Sequence, residues 1–479
     1  MPSAPSIQEK ARQRCHWLPD LSQHRGARYQ GIVDALAHAI TQGTLAPGER
    51  LPPQRLMADA LGVTVGTITR AYREAERRGL VEAKVGSGTR IKSALSESDK
   101  PSFSHLSQAA ADSIDLSLSI QTPHPGRHTL WTSLIHEFGD QTHASTLALD
   151  YQTEQGALAH RQQLADWLNQ QSLHVDANEL ILTTGGQHAD YLALQALVRP
   201  GEAVASAALT YPGMIAASRQ LGFKHIAVPM DAEGIQPEAL ERLCQQQRIR
   251  MLYVMPEHNN PTGAHMSETR RQAIVDVARR HDMFLLEDGV QFVPAAYRGR
   301  PFFELAPERS LYIFSISKLL SGGLRFGALR APAALVSRLT AALRAQCWSL
   351  PGIVPCLALA WLTSPQGNAI IDWQWQEVIA RHQLLDQYLA GYTLSTHPCS
   401  FHAWLKLPEP WRAHEFVQQA ASVGVTLINP DPFCVGSQPA PQSVRICLTP
   451  PEQRERLALG LERLARLLHT GPPLRMPLV

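Results

Sequence analysis

The chain has 479 residues, of which 44% are hydrophobic and 18% charged, and a net charge of +2. This is a globular composition, and the length exceeds one ordinary core, so two or three domains are expected. Seven scattered cysteines without a C-x-x-C pair argue against a disulfide framework, and the longest apolar stretch, residues 352–362, is too short to span a bilayer and contains Pro355.

With no signal peptide ahead of the first charges, these features predict a cytoplasmic chain with reduced thiols and no membrane partner. Charge is unevenly placed. Residues 24–92 hold eleven Lys/Arg and six Asp/Glu, a net of +5, which leaves the remainder slightly acidic and points to a basic N-terminal module.

Residues 1–23 lack clear periodicity and read as a loose arm. Residues 24–92 carry a helical pattern from Tyr29, with Ile32, Ala35, Leu36, Ala39 and Ile40 on one face. Pro52-Pro53 opens a short helix that Gly62 breaks. Thr64 can cap the next helix, whose apolar face is Ile68, Ala71, Tyr72 and Ala75. Two short alternating strands follow around Gly86-Ser-Gly88. Helix, helix, glycine turn, helix, hairpin is a winged helix-turn-helix, and residues 64–78 are its expected DNA reader. Thr64, Thr67 and Arg70 are placed for base or phosphate contact, Arg55 for a phosphate, and Gly86 and Gly88 for close approach of a wing to a groove. A small helical interaction module with solvated arginines is the competing reading of the same pattern.

Leu45-Ala-Pro-Gly-Glu-Arg-Leu-Pro-Pro-Gln-Arg-Leu56, Leu61-Gly-Val-Thr64 and Thr67-Ile-Thr-Arg-Ala-Tyr72 carry a resemblance over residues 29–91 to the N-terminal domain of GntR-type bacterial regulators. The resemblance implies double-stranded operator DNA as a partner. Members often carry a basic residue where this chain has Val65, which can touch a thymine methyl but cannot read guanine.

Residues 93–113, with seven serines and Pro101, read as a flexible linker. From Ile114 the texture is α/β. Apolar strands at 180–182, 203–205, 225–228, 251–254, 283–286 and 311–314 alternate with amphipathic helices, which predicts a mostly parallel sheet with helices on both faces. Ligands of such sheets bind beyond the carboxyl ends of the strands. Those ends carry Gly186 and Gln187, then Tyr211, then Asn260 in Asn-Asn-Pro-Thr-Gly, then Asp288, then Ser315, Ser317, Lys318 and Arg325.

Each is ordinary turn chemistry by itself. Together they suit one phosphorylated aldehyde, pyridoxal 5′-phosphate (PLP). A lysine at a strand end can lose solvation and become nucleophilic, an aspartate can hold a pyridinium, and hydroxyls, glycine amides and an arginine suit a phosphate. No His or Cys with ligand spacing accompanies the acidic residues, so no metal is expected.

This half resembles fold-type I PLP enzymes of the aspartate aminotransferase family, and the whole chain resembles the MocR-type subgroup of GntR regulators. The resemblance implies Lys318 as the Schiff-base lysine, Asp288 as pyridinium partner and Asn260 as phenolate contact. It implies a phosphate cup of Gly186, Gln187, Ser315, Ser317 and Arg325, with Tyr211 stacking. Tyr151 would reach the phosphate of a second subunit, which implies a homodimer. Arg445 would bind a substrate or effector carboxylate. Catalytic relatives place a tyrosine shortly after the aspartate, where this chain has Gly289-Val-Gln-Phe292, so transamination is expected to be weak at most.

The expected organisation is a large PLP-binding domain over 114–347 and a smaller α+β subdomain over 348–479. The expected function is regulation of transcription, with PLP or an amino acid or amine sensed by aldimine chemistry at Lys318. An active aminotransferase with an accessory DNA-binding module is the alternative.

Overall fold

The structure, a computed structural model, describes residues 7–21, 26–42, 44–46, 48–77, 80–84, 88–91, 113–140, 146, 148–436 and 440–472. It divides into two compact units, Met1–Gln108 and Ala109–Val479. Almost all of the expected linker, and Gly86 at the wing tip, lie outside the described residues.

In the first unit, helices Arg28–Thr41, Gln54–Leu61 and Val65–Arg77 precede strands β1 (Val81–Lys84) and β2 (Gly88–Ile91), which pair antiparallel. The amphipathic spacing is realised: Ile32, Leu36, Ile68, Ala71, Tyr72 and Ala75 share one core with Val81 and Ile91. Gly62 ends its helix in the left-handed region at φ 65°, a conformation open to glycine at little steric cost.

The first residues depart from expectation. Residues 7–14 form a helix, not a loose arm, and pack on helix Gln54–Leu61. Ala11 is buried, and Arg12 Nε donates to the Ala60 carbonyl at 3.1 Å. The contact rests on a small residue and a helix-end carbonyl, so no apolar period announces it.

The second unit is built on a seven-stranded sheet. Its strands in chain order are β4 (Leu180–Thr183), β5 (Ala203–Ala207), β6 (Lys224–Val228), β9 (Ile249–Val254), β10 (Phe284–Asp288), β11 (Ser310–Ser315) and β12 (Gly327–Arg330). A small hairpin of β7 (Met230–Asp231) and β8 (Gly234–Ile235) follows β6, and the short strand β3 (Ile114–Asp115) opens the unit. The spatial order is β4-β12-β11-β10-β9-β5-β6, with β12 antiparallel to both neighbours and the other pairs parallel. β4, β5 and β11 are buried along their whole length, as strands covered on both faces should be. All six expected strands are present. β12 was not foreseen, since Gly-Ala-Leu-Arg is short and reads equally as a turn.

Beyond it, β13 (Leu394–Ser395), β14 (His402–Lys406) and β16 (Ser443–Cys447) make an antiparallel sheet, and β15 (Val425–Thr426) pairs parallel with β3. This corrects the division at residue 348. Ile114 and Leu116 share a core with Leu405, Val444, Ile446 and Leu461, whereas Leu350, Leu359, Trp361 and Trp375 pack with Leu182 and Phe314. A parallel pairing between segments 311 residues apart leaves no local signal, and an apolar helix fits either core. No helix among the described residues is long and apolar enough to cross a membrane.

One buried ion pair fixes the loop after β9. Arg271, fully buried on helix Glu268–Arg280, bonds Glu257 Oε1 at 3.1 Å and the carbonyls of Pro256, Met266 and Arg300. It therefore closes both ends of the segment carrying Asn260. Removing one partner strands the other charge, so Arg271→Ala is expected to destabilise the unit by about 3–5 kcal/mol, read as an earlier urea midpoint.

Candidate functional site

Five parallel strands, β4, β5, β9, β10 and β11, deliver the expected residues at their carboxyl ends. After β4 the chain turns at Gly185 (φ 86°) into the helix Gly186–Leu197. A Cβ on Gly186 would lie 2.4 Å from Val290 Cγ2, and one on Gly185 would lie 2.7 Å from Arg325 Nη2. Only glycines let the helix start this close to both. The first turn then offers free amides beside a guanidinium, a geometry that suits a phosphate dianion. Arg325 itself has φ 51° and donates to the Thr184 and Gly322 carbonyls, both at 3.3 Å. A non-glycine residue held there is strained, and the surrounding bonds hold it.

Ser315 Oγ donates to the Phe326 carbonyl at 3.1 Å and lies 2.9 Å from Ser317 Oγ, so the two serines stitch the turn that presents Lys318. Gln187 Nε2 donates to the Gly213 carbonyl at 3.2 Å, and a Cβ on Gly213 would overlap both Gln187 and the Tyr211 ring. Gln187 and Tyr211 are thus packed around one glycine.

Lys318 Nζ donates to the Ser119 carbonyl, and its own carbonyl accepts from Gln374 Nε2 at 2.7 Å. Burial, with the charge of Arg445 next, pushes its pKa down to about 8. Asp288, buried at the end of β10, accepts from the Tyr253 hydroxyl and from the Val290 amide at 2.8 Å. Burial raises its pKa although both bonds and the Lys318 charge act the other way. Asp190, one helical turn beyond Gly186, is also buried; burial first and the neighbouring Asp288 second push its pKa up, and its Oδ1 has no hydrogen-bond partner among the described residues.

Asn260 and Arg445 meet directly, Arg445 Nη1 donating to Asn260 Oδ1 at 2.8 Å. Arg445 is 6% exposed, lies over the Phe433 ring at 4.8 Å and donates to the Ser117 carbonyl. Arg445 is therefore a buried side chain of the small sheet, held by its neighbours. Tyr151 stands apart, 91% exposed and 6.0 Å from the Trp348 ring.

The expectation of a missing tyrosine after Asp288 resolves into two contacts. Val290 packs on Gly186, and buried Gln291 turns to His258, its Oε1 3.0 Å from His258 Nε2. Sequence reasoning missed Tyr253, Asp190, Ser119 and Gln374. Tyr253 could have been found from its place on the strand beside Asp288. Asp190 follows Gly186 by one turn of the same helix, whereas Ser119 and Gln374 contact Lys318 across long sequence separations and carry no local mark.

PLP fits these residues on two observations: a glycine cradle that a Cβ would fill, and unpartnered buried polar atoms at Asp190 Oδ1 and Thr210 Oγ1. Among the described residues, no group of three or more His, Cys, Asp or Glu is arranged to hold a metal.

The first unit presents a second surface. Thr64 Oγ1 accepts from the Thr67 amide at 3.2 Å and lies 2.9 Å from Thr67 Oγ1, so these hydroxyls also cap the helix. Val65 is exposed at the helix start. Exposed Arg70 lies 4.1 Å over the Tyr29 ring and donates to its hydroxyl at 3.4 Å, while exposed Arg55 sits on the preceding helix. Gly88 (φ 82°) abuts the Arg50 guanidinium, a basic group at the wing that the sequence reading passed over.

A helix-turn-helix with a wing, followed by an aminotransferase-like α/β unit, defines a DNA-binding regulator fused to an enzyme scaffold. Residues 28–91 match the gntR family of bacterial regulatory proteins, and residues 114–461 match the class I and II aminotransferases. The uncharacterized HTH-type transcriptional regulator YdeF of Bacillus subtilis is 28% identical over 94% of this chain and 96% of its own. The uncharacterized HTH-type regulator YjiR of Escherichia coli is 30% identical over 63% of this chain and 68% of its own. Pyrococcus horikoshii kynurenine aminotransferase, solved with PMP, superposes with a TM-score of 0.67 at 20% identity, covering 78% of this chain and 98% of its own. The chain belongs to the class I and II aminotransferase family and, with its gntR module, to the MocR-type HTH transcriptional regulators.

The depressed lysine gives a direct measurement. With a folded pKa of about 8 in place of the ordinary value near 10.4, Lys318 is roughly half neutral at pH 8, against roughly 0.4% for an unperturbed lysine. Its labelling by a small amine-specific reagent, followed by peptide mass, is expected to rise with a midpoint near pH 8 and to exceed surface lysines by about a hundredfold there.

Proposed function

We propose that this regulator holds PLP on Lys318 and answers an amino acid or amine at that site by changing its affinity for operator DNA. The cofactor, when bound, supplies an aldehyde that condenses reversibly with primary amines. What carries the reading is Lys318: a lysine with a pKa lowered to about 8, in electrostatic reach of Arg445 and Asp288, in a chain that also has a gntR-type module. As a neutral amine it is a nucleophile and an acceptor of protons at physiological pH.

The other roles follow from residue chemistry. Asp288, steadied by Tyr253 and the Val290 amide, would take the ring nitrogen, and Asn260 the phenolic oxygen. Gly186, Gln187, Ser315, Ser317 and Arg325 would cradle the phosphate, with Tyr211 against the ring. Arg445 would fork onto the effector's carboxylate. Tyr151, exposed in a single chain, would complete the phosphate site of a second copy in a homodimer. Thr64, Thr67, Arg55, Arg70 and the wing at Gly86 and Gly88 would face operator DNA in the cytoplasm. An effector shifts that equilibrium only by as much as it prefers one state of the chain.

Aminotransferase activity is the second reading, and the presence of Lys318, Asp288 and Arg445 together supports it. Against efficient turnover stands the segment after Asp288, where Val290 and Gln291 supply no phenolic hydroxyl.

Operator DNA titrated with and without PLP and a panel of amino acids tests the proposal. Lys318→Ala is expected to abolish the visible absorption that PLP gains on the chain and to leave operator affinity blind to effectors. Arg70→Ala is expected to weaken binding across sequences and to lower the slope of log K against log salt by about one. Operator affinity that never changes with PLP or any amine would remove the sensing claim, and steady turnover of amino acid and 2-oxo acid pairs would favour the second reading.

A further inference from the structure

One face of the small sheet carries groups in electrostatic reach of Lys318, although its reverse is entirely aliphatic. β14 and β16 pair with Trp404 opposite Arg445 and His402 opposite Cys447. Side chains alternate along strands, so these four project from one face. Ala403, Leu405, Val444 and Ile446 project from the other and join the aliphatic core.

His402 is fully buried on the polar face. Its Nε2 lies 3.4 Å from the Asn259 carbonyl, a group that can only accept, so Nε2 carries the proton. Burial, then the charges of Arg445 and neighbouring His258, hold its pKa well below the ordinary range, and the ring is neutral. A neutral ring protonated at Nε2 offers a lone pair at Nδ1, and no protein group among the described residues donates to that atom. His258 repeats the pattern, with its ring centroid 6.2 Å from that of His402. Its Nε2 faces Gln291 Oε1, burial lowers its pKa to about 3, and its Nδ1 also lacks a partner.

We propose that His402, with His258 behind it, selects an amino-acid effector whose side chain carries an uncharged hydrogen-bond donor, a hydroxyl or a carboxamide N–H. This rests on the effector reading of the Lys318 site and names the class that the site prefers. A carboxylate side chain would set its own lone pairs against Nδ1. An ammonium would enter beside Arg445 and Lys318, whose positive charges already act on His402. An alkyl group would leave the buried acceptor without a hydrogen bond.

The test uses the full chain loaded with PLP and pairs of ligands that differ in one group. L-Serine is compared with L-2-aminobutyrate, and L-glutamine with L-glutamate, by calorimetry and by the change in cofactor absorption. The donor-bearing member of at least one pair is expected to bind about tenfold more tightly or better, with neither pair reversed. His402→Phe keeps a ring and removes Nδ1, and is expected to bring that ratio to about one. Equal affinities within both pairs, a preference for L-glutamate, or a ratio that survives His402→Phe would each overturn the proposal. Should His402→Phe fail to load PLP, His402→Leu is used, and the paired ligands on the unaltered chain decide the selectivity on their own. A chain that loads PLP but responds to no amino acid overturns the effector reading itself, and this inference with it.

Discussion

Burial of like and unlike charges in one crevice governs this molecule. Around the ends of β10 and β11 the chain gathers Lys318 and Asp288, with Arg445 acting on Lys318 and Asp190 beside Asp288, and burial strips solvation from the lysine and both aspartates. Burial drives the lysine pKa down and both aspartate pKa values up, so the lysine and the two aspartates are pushed toward their neutral forms. A neutral lysine is reactive, and a buried carboxylate waits for a cation or a donor. The hydroxyl of Tyr253 and the amide of Val290 already favour the charged form of Asp288, and a cation brought against it would act in the same direction.

The parallel sheet makes that crevice possible. Parallel strands covered on both faces leave no solvent along their length, so polar groups collect where the strands stop. Antiparallel β12 returns the chain from the Lys318 turn into the sheet beside β4, whose end begins the glycine cradle. The strain at Arg325 belongs to this economy of space: its backbone bends so that its guanidinium lies against Gly185.

Much of this was legible in the sequence because the strands and their terminal residues are contiguous. Leu311 to Lys318 is a single stretch of chain, and so is Leu285 to Asp288. The donors and acceptors that complete the site are not contiguous with them. Ser119 reaches Lys318 across 199 residues, and Asn260 meets Arg445 across 185. Such pairs depend on β3 joining β15 and on β14 joining β16, pairings that no local period encodes. The helix at residues 7–14 was illegible for another reason, since Arg12 and Ala11 make its contact through a carbonyl and a methyl.

The polar face of the small sheet bears on why an enzyme scaffold would serve a regulator. A catalyst must release what it binds after each turnover, whereas a sensor needs only occupancy and selectivity. On the proposed reading, Val290 packed on Gly186 and Gln291 turned to His258 take the segment after Asp288 away from proton transfer and spend it on packing and on histidine tautomer control. His402, fixed by the Asn259 carbonyl next to Asn260, ties that control to the residue that meets Arg445. Carboxylate recognition and side-chain recognition then share one loop, the loop that Arg271 closes at both ends. An effector that satisfies both would tighten the same segment from two sides, which is the differential contact that coupling to DNA requires.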